Sequence, residues 1–388
     1  MSRLTELIEE LCPDGVEFRP LSDLVRIRNG CDYKTLSPGN VPVYGSGGVM
    51  THVSEALGEG PTVLIPRKGS LDNIFFVEGE FWTVDTIFYT EIASDLDPKF
   101  FYYKMKTMHL SQMNEAAGVP SMNQRKLGRI QIPVPPLEVQ REIVRILDQF
   151  TMLEAELEAE LTIRRRQHGF YRSELLARES LQKRVGVLEY KTLGDLFETR
   201  NGYTPSKRDR TAWDRDDVPW FRMEDIRENG GILDSALISI SNSAVKAGRV
   251  FPANSILVAT SATIGAHALV TVEHLSNQRF TSLQPKESAC GLFDPYFLYY
   301  YCFLLDEYCL NHANVSSFAS VDMRAFRAFE FPILPLDVQR EIASILDQFT
   351  GLEKELEAEI EARRAQCTYY RDRLLSFPEK VVSRSDAS

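Results

Sequence analysis

Leu137-Glu-Val-Gln-Arg-Glu-Ile-Val-Arg-Ile-Leu-Asp-Gln-Phe-Thr151 returns as Leu336-Asp-Val-Gln-Arg-Glu-Ile-Ala-Ser-Ile-Leu-Asp-Gln-Phe-Thr350. The match continues through Glu154–Glu160 against Glu353–Glu359, passes Arg164-Arg165 against Arg363-Arg364, and ends at Leu175-Leu176 against Leu374-Leu375. About 26 of 40 aligned positions are identical, far beyond composition bias, so the chain carries an internal repeat. Apolar residues fall three and four apart at Ile143, Ile146, Phe150, Leu153, Leu157 and Leu161, and again at Ile342, Ile345, Phe349, Leu352, Leu356 and Ile360. That spacing predicts two long helices, each with a coiled-coil seam. Pro135-Pro136 and Pro335 stand just ahead of them, where a missing N–H costs nothing. About 40 helical residues reach about 60 Å.

The segments between the helices repeat more loosely. Gly15–Leu24 resembles Val187–Leu196, and both lead to Arg-Asn-Gly, at Arg28-Asn29-Gly30 and Arg200-Asn201-Gly202. Val41–Tyr44 pairs with Val218–Phe221, and Thr62–Ser70 with Ser255–Thr263. Asp97-Pro98 and Asp294-Pro295 each open an aromatic helix, with Asp as N-cap and Pro in the first turn. Short β-branched and aromatic runs punctuated by Gly, Asn and Asp predict strand-rich mixed domains. The expected class is α+β: two mixed domains, 1–134 and 185–334, each followed by a long helix, in 135–184 and 335–388. A parallel helix pair would make the connecting domain bridge the whole helix length. An antiparallel pair, with a pseudo-twofold axis relating the two halves, is therefore expected.

Composition bounds the function. With 44% hydrophobic and 26% charged residues the chain is globular, and no apolar run is long enough to cross a membrane. The acidic N-terminus lacks an apolar signal core, so a cytoplasmic protein is expected. A net charge of -11 disfavours polyanion binding driven by bulk charge, yet only the surface facing phosphates must be basic. The six cysteines form no C-x-x-C pair and the six histidines have no metal spacing, so no metal site is expected. Phosphate-loop, H-E-x-x-H and G-x-S-x-G patterns are missing, and Gly45-Ser-Gly-Gly48 reads as a turn between strands. Glu189-Tyr-Lys191, which a nuclease site would also contain, aligns with Glu17-Phe-Arg19 and reads as structural. No active site is legible.

The Pro-Pro-Leu-x-x-Gln-x-x-Ile start at 135–143, its repeat at 335–342 and the two variable domains resemble the DNA specificity subunit of type I restriction–modification enzymes. The resemblance covers essentially the whole chain, including Tyr44–Gly48, Arg67–Ser70 and Asn277-Gln278; Thr260–Thr263 departs from it, lacking the Arg and Gly of its partner segment. It implies two target recognition domains, each reading half of a bipartite asymmetric double-stranded DNA site, with the paired helices as a ruler for the spacer. It also implies partners: two modification subunits carrying S-adenosylmethionine and adenine methylation, and restriction subunits using ATP and Mg to translocate and cleave. No cofactor is expected in this chain.

Base readers are expected among Arg, Lys, Asn, Gln, Ser and Thr on loops. The candidates in the first domain are Tyr44, Ser46, Arg67, Lys68, Ser70, Asn73, Ser121, Asn123, Gln124, Arg125 and Lys126. In the second they are Thr204, Lys207, Arg208, Arg222, Ser261, Thr263, Asn277, Gln278, Arg279, Ser316, Ser317 and Arg324. An exposed solubilising or turn role competes for each. The helices are expected to bind protein, with Gln140, Arg141, Gln339 and Arg340 at exposed ends facing the modification subunits. Two other classes stay open at this point: a coiled-coil adaptor whose domains bind proteins, and a self-contained DNA methyltransferase or endonuclease.

Overall fold

In the computed structural model, which describes residues 3–114, 118–246, 249–314 and 319–380, the duplicated stretches are the helices Leu137–Leu176 and Leu336–Leu374. The backbone ahead of each proline is held extended, which stops either helix from growing backwards. No helix among the described residues is long and apolar enough to cross a membrane. The chain divides into two compact units, residues 1–160 with 357–388, and residues 161–356. Each unit therefore holds one globular domain, the first half of the long helix that follows it and the last part of the other.

The first unit contains a four-stranded antiparallel sheet in the order Val25–Asn29, Ile87–Ile92, Thr62–Pro66, Phe75–Val77. A second sheet runs Gly48–Val53, Pro38–Gly45, Glu80–Thr83, Gly58–Glu59. The second unit repeats the plan with Phe197–Asn201, Phe280–Pro285, Ser255–Ala259, His267–Val270 and Ile232–Leu233, and a smaller sheet of Ser239–Ile240, Val218–Phe221 and Leu275–Ser276. Thr62–Pro66 and Ser255–Ala259 are buried at every residue, which is why they read as unbroken apolar runs without alternation. Each domain is closed by a two-stranded clasp: Glu17–Pro20 pairs with Gln131–Val134, and Glu189–Thr192 with Glu330–Ile333. Glu17 faces Val134 and Glu189 faces Ile333, the same register in both copies. Glu189-Tyr-Lys191 is thus a clasp strand, as expected.

The two Asp-Pro signals start the helices Pro98–Lys106 and Pro295–Asn311. Asp97 Oδ1 accepts from the N–H groups of Lys99 and Phe100, and Asp294 Oδ1 from those of Tyr296 and Phe297. Here one expectation fails. Gln140 and Gln339, read as exposed partner contacts, are fully buried. The Gln140 Oε1 accepts from the Asp97 N–H at 2.7 Å, while its Nε2 donates to the carbonyls of Asp95 at 3.0 Å and Pro135 at 2.7 Å. Gln339 does the same with Asp294 N–H, Leu292 O and Leu334 O, each at 2.8 Å. Each amide is consumed inside its own domain, so neither faces a partner. Arg141 and Arg340 beside them are exposed.

A second clip follows two turns later. The Tyr103 hydroxyl donates to Asp148 Oδ1 at 2.8 Å, and Tyr300 donates to Asp347 Oδ1 at 2.7 Å. Burial, and then the adjacent carboxylate, push both phenols well above their ordinary range, so they stay protonated donors. Ile143 and Leu147 enter the first domain's core, and Ile342 and Leu346 the second's. The seam is correspondingly shorter than the periodicity implied, since Ile143 and Ile342 face domain cores, and Leu352 is 46% exposed.

Within each unit the helix segments run antiparallel. In the first, Phe150 stacks on Tyr370 at 5.6 Å, while Glu154, a turn later, takes Arg364 at 2.7 Å, a turn and a half earlier. Glu158 also pairs with Arg364. In the second, His168 stacks on Phe349 at 5.7 Å with its Nδ1 2.8 Å from Glu353, and Tyr171 stacks on the same Phe349 at 5.3 Å.

Replacing Gln339 with Met keeps the volume but leaves one N–H and two carbonyls without their partner. Stranded buried polar groups cost about 1–3 kcal/mol each way they are counted. With three such groups stranded, Gln339→Met should therefore lower the thermal midpoint by at least roughly 6 °C, whereas Arg340→Met, an exposed neighbour, should leave it within about 1 °C; differential scanning calorimetry distinguishes them.

Candidate nucleic-acid interface

In the first unit three loops converge. Strands Pro38–Gly45 and Gly48–Val53 make a hairpin around Ser46-Gly47, as expected of that glycine-rich turn. The segment after Thr62–Pro66 turns back through Gly69, whose φ of +87° puts it in the left-handed region. A Cβ on Gly69 would stand 3.0 Å from Ser46 Oγ, so only glycine lets the two loops touch without displacement. Asn73 Nδ2 donates to Ser46 O at 3.1 Å, and Lys68 bridges Ser121 in antiparallel fashion. Ser46, Lys68, Asn73 and Ser121 are thus brought together, with exposed Ser70 on the same loop as Lys68 and Tyr44 behind the hairpin against Phe75.

The remaining candidates of this unit are split. The Arg67 guanidinium donates to Asp85 O at 3.4 Å and lies over Phe88. Asn123 caps the short helix Gln124–Gly128 by accepting from the Lys126 N–H at 2.8 Å, and Lys126 Nζ binds the Met113 carbonyl. These three hold the scaffold. Gln124 turns to Asn29 Oδ1 at 3.2 Å, and Arg125 is exposed.

The second unit repeats the loop bridge as Ser261 with Ser320. Ala262 occupies the left-handed position that Gly69 holds in the first unit, with φ of +66°. Thr263 closes that turn on Ser261 O, and Arg324 projects from the first turn of Met323–Ala328, capped by Asp322. Ser316 and Ser317 lie outside the described residues. The cationic candidates gather elsewhere, in a cleft of about 750 Å³ that takes in Thr204, Lys207, Arg222, Asn277, Gln278 and Arg279. Thr204 Oγ1 donates to Gln278 Oε1, and Asn277 Oδ1 accepts from the Arg279 N–H at 3.0 Å. Arg208 is exposed on the loop that forms one wall.

Sequence reasoning missed Arg210, Trp213, Trp220 and Ile238, which line the same cleft. The missed signal was length. Sixteen residues separate Asn201 from Val218, against eight between Asn29 and Pro38, and the longer segment carries Lys207, Arg208, Arg210 and Trp213. Asp225 underlies the opposite wall. Fully buried, its carboxylate accepts from the N–H groups of Arg222 at 2.6 Å and Leu237 at 2.7 Å. His274, next to the strand Leu275–Ser276 that leads into Asn277, sits edge-on between Phe221 and Phe251. Its Nδ1 donates to Val272 O at 2.8 Å, and burial pushes its pKa down to about 4.

A family model described as the type I restriction modification DNA specificity domain matches residues 13–163 and 188–362. The chain is 53% identical to the EcoprrI type I restriction enzyme specificity subunit of Escherichia coli over 221 residues, 54% of this chain and 55% of that one, so this match spans about half of the relative's length. It is 33% identical to the EcoR124I/EcoR124II specificity subunit of Escherichia coli over 302 residues, 72% of this chain and 71% of that one. Among solved structures, an S subunit of a type I restriction-modification system from M. genitalium shares the fold with a TM-score of 0.56 at 13% identity, covering 93% of this chain and 96% of that chain. A chain from work on complex assembly and conformational transition of the type I R-M system gives 0.61 at 16% identity, covering 94% and 98%.

His274 makes a pH prediction. The unfolded chain takes up a proton near the ordinary value of 6.5, whereas the folded imidazole resists down to about 4. Stability is therefore complete above pH 6.5 and falls as pH drops through that window, by roughly 3 kcal/mol in total. Urea titrations of the wild type between pH 7 and 4 should show this loss, and His274→Leu should remove that component of the slope.

Proposed function

Because this chain belongs to the type I restriction–modification DNA specificity family, we propose that it is the sequence-reading, non-catalytic subunit of a DNA-modifying complex. Each unit reads one half of a bipartite, asymmetric site in double-stranded DNA, and the long helices set the spacer. Two modification subunits carry S-adenosylmethionine and methylate adenine, and restriction subunits use ATP and Mg to translocate and cleave. The chain works in the cytoplasm, where the DNA is.

One observation carries this reading: two domains of the same strand order present different side chains at equivalent loops. Lys68 and Ser121 bridge in the first unit where Ser261 and Ser320 bridge in the second. A constant frame with unlike polar loops suits two half-sites of different sequence. In the first unit Ser46, Lys68, Ser70, Asn73, Ser121 and Arg125 are the readers and phosphate contacts, while Tyr44, Arg67, Asn123, Gln124 and Lys126 support them. In the second, Thr204, Lys207, Arg208, Arg222, Asn277, Gln278 and Arg279 line or flank the cleft, with Ser261, Thr263 and Arg324 beside the loop bridge. The modification subunits dock on the long helices, at Arg141 and Arg340 and at Phe170 and Tyr369. Those two aromatic residues occupy the same position in the two repeats and are 61% and 58% exposed, and a repeated surface suits two copies of one partner.

Base-resolved methylation mapping of DNA from cells with and without the gene tests the reading. Loss of adenine methylation at one bipartite motif is the expected result. In the complex reconstituted with its modification subunits, Lys68→Ala should weaken DNA binding and reduce the slope of log affinity against log salt by about 0.9. An unchanged affinity and slope in both Lys68→Ala and Arg324→Ala, together with an unchanged methylome, would favour the protein-binding adaptor instead.

A further inference from the structure

The cleft of the second unit is lined in part by the sixteen-residue segment between Asn201 and Val218, twice the length of its counterpart between Asn29 and Pro38. It is also built unlike a surface that only follows a DNA backbone. Trp213 and Trp220 meet edge-to-face at 5.2 Å. Their indole N–H groups are already used, donating to Ser206 O at 3.1 Å and Tyr203 O at 2.9 Å. The half-buried Trp213 and partly exposed Ile238 therefore give the cleft an apolar wall. The same lining holds Lys207, Arg210 and Arg279, none of which forms an ion pair among the described residues, together with Asp214 and with Glu224, which pairs with Arg222 and leaves the cations in excess.

A phosphate alone needs the cations and gains nothing from an indole wall. An intact base pair needs base-edge donors at a groove surface and gains nothing from a recess of about 750 Å³. One ligand uses all three features: a nucleotide turned out of the duplex, its base against Trp213 and Ile238 and its phosphate near Lys207, Arg210 and Arg279. Stacking on an aromatic side chain is of the same order as the unstacking cost it must offset. Thr204 holds Gln278 Oε1, which leaves the Gln278 amide N–H groups to meet acceptors on the base edge.

We propose that the second unit binds one nucleotide displaced from its half-site in this cleft, at a position other than the methylated adenine. This rests on the DNA-recognition reading, and the test separates the two. The complex of this chain with its modification subunits is mixed with duplexes of the mapped target in which 2-aminopurine replaces each base of the second half-site in turn. Emission should rise several-fold at one position outside the methylated adenine. A mismatch there, which lowers the unstacking cost, should tighten binding about tenfold. Trp213→Ala should abolish both effects. Arg210→Ala, an exposed substitution that leaves the core alone, should weaken both while retaining specific binding. Specific binding with every other position still quenched overturns the inference and leaves the recognition reading standing. So does an emission rise that persists in both variants. Failure of the complex to bind its target specifically overturns both.

Discussion

A glutamine amide buried without access to water fixes each globular domain to the start of a long helix. Such a group is costly to bury unless its hydrogen bonds are made, and Gln140 and Gln339 each make three. Their partners are the N-cap residue of the aromatic helix, the turn ahead of it and the carbonyl two residues before the long helix begins. Three chain segments are therefore held in one geometry that a purely apolar contact would let slide. The Tyr103–Asp148 and Tyr300–Asp347 pairs repeat the restraint farther along the helix. These clips recur in both units, so each domain is tied to its own helix by the same set of contacts.

That constancy explains the uneven repeat. Helix starts, clasps and clips answer to packing, so their residues match closely between the halves. The loops beyond the central buried strands answer only to what they meet outside, and they diverge. Gly69 and Ala262 show the boundary. Both sit in left-handed backbone at the same loop bridge, but glycine adopts it freely, whereas alanine holds it at a cost of about 1–2 kcal/mol. The frame persisted although the residue changed.

Much of the fold was legible in sequence because its signals are local. Helical periodicity, Asp-Pro caps, apolar runs and matched clasp segments each declare themselves within a few residues. The failures share one cause: periodicity names a face but not what covers it. Gln140 and Gln339 look like surface residues beside Arg141 and Arg340, and only the returning turns at Asp95 and Leu292 bury them. Ile143 and Ile342 continue a seam in sequence and enter a domain core in space, while Leu352 keeps the spacing and faces outward. The candidate site was half legible. Thr204, Lys207, Asn277, Gln278 and Arg279 come together across 75 residues of chain. Trp213 and Trp220 gave no sign, since an aromatic residue in one sequence reads the same in a core as in a cleft wall.

The division of the chain into units has a consequence for biosynthesis. The second unit is one unbroken stretch, whereas the first needs residues 357 onward to complete its helix pair. On the ribosome, the domain made first must wait through 220 residues of synthesis before Phe150 finds Tyr370, and 210 before Glu154 finds Arg364. The helix pair of the later-made domain closes over a shorter gap, 181 residues from His168 to Phe349. Loop closure over so long a gap adds little to the equilibrium cost, because that cost grows only logarithmically. It does leave the end of the first long helix's opening half, with Phe150 and Leu153, uncovered for many seconds of translation, a window in which a nascent chain has most need of a chaperone.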